Sequence, residues 1–112
     1  SDKVLQAVRQ VVEDEGVRHL LVEGHTNDNG PADYNQRLSE SRAAAVVDWL
    51  ADHGVDDDTL LSKGYGFDKP LVPHDTAEAD TVNRRVEFLV LRADTKNDDE
   101  RWVPDASELP TD

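Results

Sequence analysis

The 112-residue chain has no cysteine and no methionine, and only 5% of it is aromatic. The absence of cysteine excludes disulfides and thiol catalysis while leaving the redox compartment open. Positive charge is also scarce. Twelve lysines and arginines face 25 aspartates and glutamates, for a net charge of −13. A field of that sign repels phosphate backbones and anionic lipid, which argues against nucleic acid or a membrane surface as partner. It favours cationic partners only weakly, because physiological salt screens surface charge beyond about 8 Å. No hydrophobic run approaches the roughly 18 residues of a membrane-spanning helix, so this segment is not expected to insert directly. No secretory leader is visible, and any targeting segment is expected upstream of residue 1 or already removed.

What is present divides unevenly. Residues 93–112 carry Asp94, Asp98, Asp99, Glu100, Asp105, Glu108 and Asp112 against Lys96 and Arg101, with Pro104, Pro110 and no apolar period. That composition predicts an acidic, disordered tail in which Trp102-Val103 is the pair able to dock. Residues 1–92 suffice for one domain.

Within that domain Val4, Leu5, Val8, Val11 and Val12 share a helical face, predicting a helix over 2–15 that Gly16 stops. Residues 17–23 read as a strand; its Leu20-Leu21-Val22 run is apolar on both faces, as in the interior of a sheet. Residues 24–30 form a turn-rich polar loop. Asp33 and Gln36 have capping-box spacing, predicting a helix over 34–52 that ends before Gly54. A second strand is expected over 60–66, an irregular loop over 67–75, a short helix capped by Thr76, and a third strand over 85–92. The order is α/β. The 17–23, 34–52, 60–66 unit predicts a parallel crossover, and ligands of such units gather beyond the carboxyl ends of the strands. That rule singles out residues 24–30.

On a helical wheel Leu38, Ala45, Val46 and Trp49 share one stripe, and Asn35 and Arg42 fall inside it. An inward guanidinium must find a carboxylate, carbonyls or a ligand, because a buried unpaired charge costs several kcal/mol.

The blocks Gly24-His25-Thr26 to Gly30, Tyr34-Asn35, Leu38-Ser39-Glu40, Arg42-Ala43, Gly64-Tyr65-Gly66 and Asn83-Arg84-Arg85-Val86-Glu87 together resemble the OmpA-like C-terminal domain, over about residues 1–92. This family includes the peptidoglycan-associated lipoprotein and MotB. The resemblance implies an α/β (α+β sandwich) βαβαβ(α)β fold with helices on a small mixed sheet. It also implies non-covalent binding of peptidoglycan through the diaminopimelate of the stem peptide, as a non-enzymatic wall anchor on the periplasmic face of the envelope. Its two chief ligand positions fall on Asn27 and Arg42, and its other contacts on Asn29, Asn35 and Arg84. Asn27 departs from the family's aspartate, and Asp28 is the candidate to compensate. The zwitterionic centre of diaminopimelate suits such a pair, with Arg42 gripping the carboxylate bidentately. A second departure is the family's first strand, which has no counterpart here. A missing strand would leave an open edge, so a fragment or a swapped partner strand, and with it a possible homodimer, is the expectation.

Blander and rival readings run alongside. His25 is read as structural, Tyr65 and Trp49 as packing residues, and Arg42 as a possible ion-pair partner of Asp28 or Glu23. Arg84 and Arg85 are either solvated or at the site. His25, Asp28, His53 and His74 are the residues from which a hydrolytic metal site could be built. No two of the histidines sit at ligand spacing on one element, so no catalytic residue, metal or cofactor is assigned. The alternative function is an OmpA-like fold whose Asn27 has weakened or abolished wall binding and which now serves protein–protein contact.

Overall fold

A computed structural model describes residues 2–92 and 100–102. Helix α1 (Asp2–Asp14) leads through Gly16, whose φ of 63° reverses the chain, into strand β1 (Val17–Gly24). Helix α2 (Ala32–Asp52) follows and ends at Gly54, with φ of 99°. A single 3-10 turn (Asp57–Thr59) leads into β2 (Leu60–Gly64). A short helix α3 (Ala79–Val82) then precedes β3 (Val86–Arg92). Strand β4 (Glu100–Trp102) lies within the stretch expected to be a disordered tail. The rest of 93–112 is outside the described residues.

The sheet order is β2-β1-β3-β4. The expected parallel crossover is present, since β1 runs parallel to β2 with Leu20 beside Leu60 and Gly24 beside Gly64. Strand β3 is antiparallel to both β1 and β4. The chain's own residues 100–102 therefore pair with Phe88–Val90 on the far edge of β3.

Alternation along the strands sends Leu20 and Val22 of β1 and Val86, Phe88 and Val90 of β3 into one core. Leu5 and Val8 of α1 and Val46 and Leu50 of α2 close it. Two glycines set how closely α2 approaches. A Cβ on Gly24 would overlap the carbonyl oxygen of Ser39, and one on Gly64 would sit 2.5 Å from the Glu40 amide nitrogen. Backbone thus packs on backbone, and small residues must face the sheet there.

Two expectations about α2 are corrected. Its buried stripe is Asn35, Ser39, Ala43, Val46 and Leu50, rotated from the predicted one. Leu38, Arg42 and Trp49 are half-buried on its flank, and Ala45 is exposed. Close approach at the glycines selects Ser39 and Ala43 over larger apolar residues. The capping box does not form either. Pro31, with φ of −65°, occupies the cap and starts the helix at Ala32, leaving the Asp33 carboxylate to accept from the amide of Tyr34. Thr76 likewise caps no helix. Its hydroxyl donates to the Pro73 carbonyl, and α3 begins only at Ala79.

Candidate functional site

The loop at the carboxyl end of β1 is held from four directions. The His25 amide donates to the Arg85 carbonyl at 2.8 Å, and the Thr26 amide to the Gly66 carbonyl at 2.8 Å. The Thr26 hydroxyl donates to the Asn27 carbonyl. The Asn27 side-chain oxygen accepts from the Asn29 amide at 3.1 Å, closing an Asx turn. From below, the Asn35 amide donates to the carbonyls of Asn29 (2.8 Å), Pro31 (3.2 Å) and Gly30 (3.4 Å). Asn35 is only 2% exposed, so it serves the loop as a clamp rather than meeting solvent.

Ser39 performs a related task one turn later. Its hydroxyl donates to the Gln36 carbonyl and accepts from the Gly66 amide at 2.9 Å. The loop, the first turns of α2 and the turn after β2 are thereby one hydrogen-bonded unit.

Asn27, Asn29 and Asn35 are brought together as expected. Asn27 is buried, while Asp28 and Asn29 are exposed. Asp28 lies opposite His74, with Oδ1 3.8 Å from Nδ1. Arg42 lies seven residues beyond Asn35, close to a whole number of turns and about 10 Å along the axis. Helical side chains lean towards the N-terminus, which turns Arg42 towards the loop end of α2. Arg84 is exposed at the bend before β3.

Arg85 is buried, contrary to the solvated alternative. Its Nη2 lies 2.6 Å from Glu87 Oε2 and its Nε donates to the same oxygen at 2.7 Å. It also donates to the Lys69 carbonyl at 2.7 Å. The reason lies in the register. Glu23 stands directly opposite Glu87, and like charges facing one another are destabilising without a cation between them. His25 joins this group, with Nε2 3.6 Å from Glu87 and 3.9 Å from Glu23. Its ring stacks on Tyr65 at 5.2 Å, and the Tyr65 hydroxyl donates to Glu23 at 3.4 Å. By strand alternation the cluster sits on the sheet face opposite α2. The structural reading of His25 and the packing role of Tyr65 are both consistent with this placement.

Glu23, His25 and Glu87 bring ligand-type atoms within 4.8 Å of one another. By donor type they could hold a cation, but the Arg85 guanidinium already occupies Glu87 and supplies the positive charge. The four residues of the hydrolytic alternative are not assembled. His53 is at the far end of α2, its Nδ1 donating to the Trp49 carbonyl and its ring stacked on the Trp49 ring at 3.6 Å.

Two residues take roles that the sequence reading did not give them, since it names His74 only for the hydrolytic alternative and Asn83 only within a family block. His74 reaches the loop from the 67–75 connection, and Asn83 holds that connection in place. The Asn83 carbonyl oxygen accepts from the amides of Leu71 (2.9 Å) and Val72 (3.2 Å), and its amide donates to the Val72 carbonyl. The Pro70 and Pro73 punctuation marked the loop, but not its return to residue 28.

The chain is similar in sequence and fold to known proteins. The OmpA family matches residues 1–84. Outer membrane porin F of Pseudomonas aeruginosa is 48% identical over 70 residues, 62% of this chain and 20% of the porin. Outer membrane protein A of Bordetella avium is 33% identical over 90 residues, 80% of this chain and 44% of that protein. The chain thus spans less than half the length of these curated relatives. The crystal structure of the peptidoglycan-associated lipoprotein from Burkholderia pseudomallei superposes with a TM-score of 0.73 at 30% identity, covering 79% of this chain and 75% of that one. The C-terminal domain of Helicobacter pylori MotB gives 0.72 at 26%, covering 81% and 71%. With the family match running from α1 through β1, α2, β2 and α3 to Arg84, this chain belongs to the OmpA family.

Proposed function

We propose that this domain binds peptidoglycan non-covalently and anchors an envelope protein to the cell wall, and that its ligand is the diaminopimelate of the stem peptide. The observation that carries the reading is the rigid loop at the carboxyl end of β1. It presents Asn27, Asp28 and Asn29 beside a helix carrying Arg42, while Asn35 locks the loop from beneath. A guanidinium matches the ligand carboxylate, and loop oxygens match its ammonium. Asp28 supplies the charge that Asn27 lacks, and Arg84 lines the neighbouring bend. The general role in wall attachment has support in the likeness to the peptidoglycan-associated lipoprotein. The outer-membrane relatives support a place in the envelope.

Calorimetric titration with a diaminopimelate stem peptide, beside the same peptide carrying lysine there, tests this. Heat with the first and none with the second is expected. Silence with both, on folded protein, would overturn the reading. It would favour the second one, an OmpA-like fold given over to protein–protein contact. That alternative draws on Asn27, whose side-chain oxygen is neutral and already accepts from Asn29.

A further inference from the structure

His74 is fixed on both of its ring nitrogens. Nε2 lies 2.9 Å from the Phe67 carbonyl oxygen. A carbonyl only accepts, so Nε2 carries the proton. Nδ1 faces the Asn83 side-chain amide at 3.4 Å. That amide cannot be reversed, because its oxygen is held by the amides of Leu71 and Val72. Asn83 therefore donates to Nδ1, and the neutral ring holds its lone pair there. The Phe67 ring packs edge-on at 5.9 Å, and the carboxylate facing Nδ1 is Asp28 at 3.8 Å. In the neutral state Asp28 receives no hydrogen bond from the ring.

Protonation reverses this at one atom. Nδ1 becomes a donor, loses the Asn83 contact, and turns to the Asp28 carboxylate. Histidine is the side chain suited to making that change near neutral pH.

We propose that His74 is a proton-operated gate on Asp28, leaving the carboxylate open to a ligand ammonium when neutral and engaging it when charged. The ligand half rests on the wall-binding reading, whereas the switch rests on geometry alone. Because the pair is partly exposed, the effect is modest, about two- to fivefold in affinity.

The test has two arms. In the first, the diaminopimelate stem peptide is titrated by calorimetry at pH 5.5 and pH 7.5, with His74→Gln as the reference for any titration of the peptide itself. The wild type should bind about two- to fivefold more weakly at the lower pH. His74→Gln should show no such ratio, and His74→Lys should bind weakly at both. A His74→Gln domain that keeps the wild-type ratio would overturn the gate, whatever the other histidines contribute. The second arm needs no ligand. Nitrogen-15 NMR should find the Nε2–H tautomer of His74 at neutral pH, with the Asp28 and Asn29 amides shifting as the ring charges. The Nδ1–H tautomer, or loop amides indifferent to that titration, would sink the proposal. If the second arm succeeds while the wild type binds no peptide, the gate stands and the wall-binding reading falls.

Discussion

Two polar clusters lie at the carboxyl end of β1, and they contrast in almost every respect. One is the group of Glu23, His25, Arg85 and Glu87, which is 2–5% exposed and bound to itself. The other is the loop of Asn27, Asp28 and Asn29, whose backbone is tied down while Asp28 and Asn29 face solvent. The first spends its charges internally, with the Arg85 guanidinium paired to Glu87 and the whole group buried out of reach of a ligand. The second keeps its frame tied down and leaves Asp28 and Asn29 at the surface. Charge alone does not mark a binding site. What separates the two is whether the charged groups are buried or reach the surface.

The largest effect should come from breaking the first cluster. Arg85→Ala leaves Glu87 without its cation directly opposite Glu23 in the sheet, and removal of one partner of a buried pair costs about 3–5 kcal/mol. Chemical denaturation should show that loss, with wall binding failing only because the fold does. A stable Arg85→Ala domain would mean that the cluster is not the structural element described. Next is Asn35→Ala, which removes the donor to three loop carbonyls. A lost buried hydrogen-bonding partner costs about 1–3 kcal/mol. Faster hydrogen exchange at the amides of residues 27–30 should accompany it, and peptide affinity should fall as the loop loosens. Unchanged exchange there would show that the loop holds itself.

The element order and the parallel crossover were legible because hydrophobic periodicity and glycine punctuation are local signals. The rotation of α2 was not. Its inward face is chosen by Gly24 and Gly64 meeting Ser39 and Glu40 across the sheet, so polar Ser39 takes a place that a wheel assigns to leucine. The Asp33–Gln36 capping signal lost to Pro31, whose fixed φ began the helix earlier. Strand alternation could have put Glu23, His25, Arg85 and Glu87 on one face, but the Arg85 contact with the Lys69 carbonyl is a tertiary fact. The geometry of the His74 contact was invisible for the same reason, since only the folded 67–75 loop brings its Nδ1 to Asp28. At the site, the family blocks pointed to Asn27, Asn29 and Asn35, and the structure added that Asn35 acts through the loop.

Arg42 sharpens the comparison from the other side. It is half-buried on the flank of α2 rather than in its core-facing stripe, so Arg42→Ala should cost under about 1 kcal/mol of stability, as for a surface ion pair. A charge-assisted hydrogen bond to a ligand carboxylate is worth about 1.5–3 kcal/mol, so sacculus binding should drop tenfold or more. Wild-type pull-down by the alanine variant would remove Arg42 from the site. A large loss of stability with no separate loss of binding would place it with Arg85 among the structural cations.

The smallest expected change is also the one that probes the loop most directly. Asn27→Asp keeps the side-chain oxygen that accepts from the Asn29 amide at 3.1 Å, so the turn should survive and stability should stay within about 0.5 kcal/mol. The substitution adds a negative charge where a ligand ammonium would sit. Replacing a neutral hydrogen bond by a charge-assisted one gains about 1 kcal/mol, or roughly fivefold in affinity for the diaminopimelate peptide. If affinity rises, the loop is a recognition surface that tolerates asparagine at a price in strength. If the turn holds and affinity is flat, Asp28 already provides the charge, and the ammonium binds one residue further along. If affinity falls, the acid at residue 27 has drawn Asn29 or Arg42 into an internal pair. The loop would then have come to resemble the buried cluster, its charges satisfied within the fold and closed to the ligand.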